Sequence, residues 1–168
     1  IYISNGMDQN MHKYMDGFRE IDILIYCTNI SLLDEYIGDI NKLKLDVELF
    51  GSVIKVRVLK FAEIAIFITG ITRLKQKIKY NSANCVSAMK SAFERDISDE
   101  KDIDEYVGYI DEIYKLQLME VYGGRSLCSY TTSLYDENYQ PNYDDLKLPM
   151  KNITEIIIRM HLIGGCGL

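Results

Sequence analysis

Residues 21–26, "IDILIY", constrain this chain more than any other stretch. They are short, rich in β-branched side chains and almost continuously apolar, the pattern of a strand covered on both faces. After them, apolar residues fall at Ile30, Leu33, Ile37, Ile40 and Leu43, a helical stripe. Asn29 or Ser31 can cap that helix, and Ser31-x-x-Asp34 resembles a capping box. Residues 45–50 then return to extended character. Strand, helix and strand with short joints make a βαβ unit over 21–50, which places the two strands side by side and parallel. The expected fold class is therefore α/β, with a mostly parallel sheet.

The remainder reads as helical or irregular. Residues 61–68 are apolar on every side and join residues 55–79 into one long expected helix. On it Phe61, Ile64, Phe67, Ile68 and Ile71 supply the apolar side chains. Its second half carries Arg73, Lys75, Lys77 and Lys79. These basic residues either offset the helix dipole or contact nucleic acid. Ser98 opens another helix, over 98–122, with acids in its first turns and Gly123-Gly124 as its stop. Residues 125–150 hold both prolines and several turn formers, and read as a loop or short hairpin. Asn152-x-x-Glu155 caps an apolar run to Ile163 that is a short helix or a strand. The natural division is an α/β part over 1–97 and an acidic, tyrosine-rich helical extension over 98–168 packed on it.

Charge and cysteine usage remove several function classes. The 168 residues suffice for one core. The net charge of −6 is uneven: residues 1–80 hold eleven Lys/Arg against ten Asp/Glu, and residues 81–168 hold eight against fifteen. The second half is thus a poor general binder of nucleic acid. The most apolar run, 61–71, contains Glu63 and falls well short of the roughly 20 residues that cross a bilayer, so no membrane association is expected. Cys27, Cys85, Cys128 and Cys166 form no CxxC pair, and His12 and His161 have no partner in sequence, so neither a metal nor a cofactor is expected. Glu20 and Asp22 entering a strand, with Glu48 on the next, could form the metal-binding trio of a nucleotidyltransferase. That chemistry also needs a small-residue turn upstream, where only Gly17 stands.

The opening "IYISNGMDQN" resembles that of the serine recombinases, in which a strand of type Y-x-R-V-S-T precedes D-Q-N and the serine attacks a DNA phosphate. Without a gap, Ile3 falls on the family's arginine, Asn5 on its serine and Asp8-Gln9-Asn10 on D-Q-N; a one-residue slip moves Ser4 to the arginine and Gly6 to the serine. Either register loses the nucleophile. The resemblance continues through residues 14–97, where "YMDGFREIDILIYCTN" looks like the helix and strand that lead to the family's arginine-bearing L-D-R-L-G-R loop. "ISLLDEYIGDINKLKLDVELF" looks like the helix and strand after it. Here that loop reads Cys27-Thr28-Asn29-Ile30-Ser31, and no arginine lies between Arg19 and Arg57. What the resemblance implies is a catalytically inactive protein of the kind found in poxviruses, self-associating as a dimer through its long helix, with Phe61, Ile64, Phe67, Ile68 and Ile71 as the contact surface. Nucleic acid or a host protein would be its partner, in the host nucleus or nucleolus and the cytoplasm. "SLLDEYI" and "LKFAEIAIFITGITRLKQKI" also resemble the all-helical poxviral Bcl-2-like inhibitors, against which the β-rich 21–26 argues.

Overall fold

The computed structural model describes residues 21–123, 127–133 and 140–164, with side chains to residue 159. Three parallel strands form its sheet, in the order β1 (Ile23–Asn29), β4 (Glu63–Thr69), β5 (Cys128–Thr131). The other two strands, β2 (Tyr36–Ile37) and β3 (Ile40–Asn41), are a small antiparallel hairpin. The helices are α1 (Lys42–Val53), α2 (Ile71–Phe93), α3 (Ile103–Tyr122) and α4 (Asp144–Gly164). The expected α/β class with a parallel sheet is observed, and the strand expected at 21–26 lies largely within β1.

The elements that complete the βαβ unit differ from the expectation. The apolar stripe from Ile30 to Leu43 forms one 3₁₀ turn at Ile30–Leu32 and then the β2–β3 hairpin. Gly38, at φ +59, and Asp39 supply its two-residue turn. Ile37 and Ile40 are consequently 51% and 53% exposed instead of buried along a helix. Asn29 does act as a cap, but of the short turn. The segment 45–50 is not a strand: it belongs to α1, whose true cap is Asn41, accepting from Lys44 N at 3.0 Å.

The second strand of the unit is β4, inside the segment expected to be helical over 55–79. From Ile64 to Thr69 every β4 residue is buried, because a strand flanked on both sides and covered on both faces meets no water. Such a run carries no alternation, so by periodicity alone it resembles a buried helix. The β-branched Ile64, Ile66, Ile68 and Thr69, bounded by Gly70, are what favour the extended form. Its register pairs Ile23 with Glu63 through Asn29 with Thr69 on one side, and Ala65 with Cys128 through Ile68 with Thr131 on the other.

Helices cover both faces of the sheet. On one face, Tyr26, Ile64, Ile66 and Ile68 meet α1, α2 and α3 through residues such as Phe50, Leu74 and Tyr114. On the other, Ala65 and Phe67 pack against Ile153 of α4. The helix expected over 98–122 is α3; it starts at Ile103 under an Asp102 cap and ends at Gly123, φ +62, as its glycine signal requires. The expected loop over 125–150 contains β5 and the start of α4; because α4 already begins at Asp144, the run after Asn152 continues that helix, and Asn152 and Glu155 lie inside it instead of capping it. Elements on both sides of the 97/98 division therefore share one sheet and one core.

Candidate functional site at the C-terminal end of the sheet

In open parallel α/β sheets, ligand sites sit beyond the C-terminal ends of the strands. β1 and β4 end level with each other, at the paired Asn29 and Thr69. Thr69 Oγ1 donates to the Thr28 carbonyl at 2.8 Å and so ties the two strand ends together. Asn29 Oδ1 accepts from Ser31 N at 3.1 Å and from Ser31 Oγ at 2.8 Å. Gly70, at φ +80, turns the chain from β4 into α2, and a Cβ there would overlap Asn29 Oδ1. The turn thus needs glycine twice over, for its backbone angle and for the close approach.

Above this turn lies a compact charge network. Glu35 Oε1 accepts from Lys77 Nζ at 3.0 Å and from Arg73 at 3.1 Å, while Glu35 Oε2 accepts from Lys42 Nζ at 3.0 Å. Lys77 Nζ also donates to the Ser31 carbonyl at 2.6 Å and pairs with Asp34. The Lys42 hydrogen bond, followed by the bond and charge of Lys77, holds the Glu35 carboxyl below its ordinary range against its partial burial. Arg73 and Lys77 are one helical turn apart on α2, which puts both cations over the same loop.

Beneath the sheet end is a polar clamp that sequence reading missed. Tyr26 OH donates to Asp46 Oδ1 at 2.8 Å, and Tyr114 OH lies 2.7 Å from Asp46 Oδ2 and 2.9 Å from Thr28 Oγ1. A phenol has one proton to give. Tyr114 gives it to the carboxylate and accepts from the Thr28 hydroxyl. Burial first, and then the Asp46 charge, push both phenols above their ordinary value. The clamp joins β1, α1 and α3, so no local spacing could have announced it.

The sequence-derived candidates separate into groups. Arg73 and Lys77 belong to the network, whereas Lys75 and Lys79 are exposed and line a cavity of about 650 Å³ with Tyr80 and Lys101. The self-association surface is corrected: Ile64, Phe67 and Ile68 are core residues of β4, and Ile71 is buried at the start of α2. Of the five, Phe61 alone is exposed, at 81%, with Lys60 Nζ 5.3 Å from its ring centroid. Glu48 is on α1 and not on a strand beside Asp22, so the expected strand-borne trio does not form. Ile3, Ser4, Asn5, Asp8 and Gln9 lie outside the described residues, as do Gly6, His12 and Glu20.

Among the described residues no three His, Cys, Asp or Glu side chains are grouped to hold a metal ion, and no helix is long and apolar enough to cross a membrane. Cys85 is buried, which pushes its thiol up to about 11 and makes it a poor nucleophile. The parallel sheet excludes the all-helical architecture of the Bcl-2-like inhibitors. No family model matches the chain, and no curated protein matches it.

Proposed function

We propose that the chain is a non-catalytic protein of serine-recombinase-like type that acts by associating with itself and by binding a partner, nucleic acid foremost. The observation that carries this reading is the occupied charge at the C-terminal end of the sheet. Phosphoryl transfer relies on cations that are free to meet charge developing on the phosphate. Lys42, Arg73 and Lys77 are instead engaged by Asp34 and Glu35 in four ion pairs. A phosphate entering there would have to displace carboxylates already in place. Asn29 and Ser31, at the position where the resemblance expects the arginine-bearing loop, are bonded to each other.

Self-association, implied by the resemblance, is tested at Phe61, the one of the five expected contact residues left in water, beside Lys60. Incubation of the purified chain with supercoiled plasmid and Mg²⁺ is expected to give neither nicked circles nor a covalent protein–DNA adduct. Either product overturns the non-catalytic reading. Light scattering at high micromolar concentration is expected to show a dimer that Phe61→Ser shifts toward monomer. A strict monomer in the unsubstituted chain removes self-association.

A further inference from the structure

We propose that the cavity where α2 breaks binds single-stranded nucleic acid, with one base stacked on Tyr80 and the flanking phosphates paired to Lys75, Lys79 and Lys101. The inference rests on the nucleic-acid-binding reading above, to which it adds a place and a strand type. Asn81 leaves helical angles, at φ −158° and ψ 76°, in the middle of α2. The break opens a cavity of about 650 Å³ between α2 and the start of α3. That volume is within the range of about 300–1,000 Å³ usual for ligand sites.

Its lining has one sign of charge. Lys75 and Lys79 come from α2 and Lys101 from the α2–α3 link; no carboxylate lines the cavity, in a chain of net charge −6. Among the described residues none of the three ammonium groups has an ion-pair partner, in contrast to Arg73 and Lys77 on the same helix. Two of the acids near Lys101 in sequence are engaged by backbone N–H groups, and Glu100, beside it, is exposed and does not line the cavity. Asp99 accepts from the Lys101 backbone N–H at 2.9 Å, and Asp102 caps α3 through Asp104 N at 2.9 Å. Three cations converging on one concavity repel one another, and an anion relieves the repulsion.

An aromatic ring beside the lysines selects among anions. Tyr80 is 85% exposed and, among the described residues, has no ring or hydrogen-bond partner. A base stacked on such a ring gains affinity in a largely sequence-independent way, while lysines track the backbone. In a duplex the base faces are already stacked on each other. A single strand can turn one base out onto Tyr80, with Asn81 and Ser82 at the rim to meet its polar edge.

Fluorescence anisotropy of the full chain with labelled oligo(dT), with the same strand annealed to oligo(dA), and in competition with thymidine monophosphate tests the assignment. Oligo(dT) is expected to bind more tightly than duplex or mononucleotide. Its salt dependence should have a slope of about −0.7 for each lysine engaged, and Lys101→Glu should reduce that slope by about this amount. Tyr80→Ala is expected to weaken binding about tenfold, and Tyr80→Phe to retain it. Both positions are exposed, and an unchanged thermal melt checks that the variants fold. Equal or tighter binding of the duplex, or equal affinity for thymidine monophosphate, overturns the single-strand assignment. Oligo(dT) binding that both Tyr80→Ala and Lys101→Glu leave intact overturns the cavity while the broader reading stands. Absence of binding to either nucleic acid overturns both.

Discussion

At the scale of single residues, the most consequential side chain is Tyr114, which is fully buried and sits where β1, α1 and α3 meet. Tyr114→Phe removes a hydrogen bond to a carboxylate while leaving the volume filled. It is expected to cost about 2 kcal/mol in urea unfolding, the usual worth of a bond to a charged acceptor. A loss within error of zero would mean that Asp46 is satisfied by Tyr26 alone. The phenols also set an alkaline limit. Both are raised above the ordinary 10.0 by burial and by Asp46, so their contribution to stability is fully present below that value and declines as pH climbs beyond it. A chain with both Tyr26 and Tyr114 replaced by Phe should show a shallower alkaline loss of stability. None of this was legible in the sequence, since Tyr26, Asp46 and Tyr114 are far apart along the chain and carry no motif.

At the scale of elements, α1 meets α3 at Gly51, opposite Gln117. A Cβ there would meet Gln117 Oε1 at 2.5 Å, the mobile end of a long side chain. Gly51→Ala should therefore be nearly neutral or slightly stabilising, since Gln117 can swing aside and alanine favours the helix by up to about 1 kcal/mol. Gly51→Leu, in contrast, must push the helices apart and is expected to cost about 1–3 kcal/mol by overpacking. Equal melting temperatures for the two variants would show that α1 and α3 do not pack as described. Elements with end signals were readable in advance: α3 has acids at its start and Gly123 at its stop, and both do the work their types suggest. The β2–β3 hairpin was hidden because Ile37 and Ile40 happen to fall on a helical stripe as well as beside a Gly38-Asp39 turn. Turn chemistry prevailed over periodicity there.

At the scale of the whole molecule, the sheet's third strand and much of its helical cover come from the second half of the chain. α3 contributes Tyr106, Ile110, Tyr114 and Leu118 to the core that also holds Tyr26 and Phe50, and β5 pairs with β4 from Ala65 to Ile68. A chain ending at residue 97 is thus expected to lack a cooperative thermal transition, as followed by circular dichroism. A sharp transition would show that the first part folds without the second. By itself the sequence determined an α/β class, a strand near 21–26 and a helix ending at Gly123, because caps, stops and short apolar runs act within a few residues of one another. Only the tertiary structure decided that residues 63–69 extend instead of coiling, that Arg73 and Lys77 pair with Glu35 while Lys75 and Lys79 do not, and that two tyrosines share Asp46. Those outcomes depend on what lies across the sheet or over the loop. A strand buried on both faces has no polar side to betray its period, and a cation's partner is set by packing rather than by its neighbours in the chain.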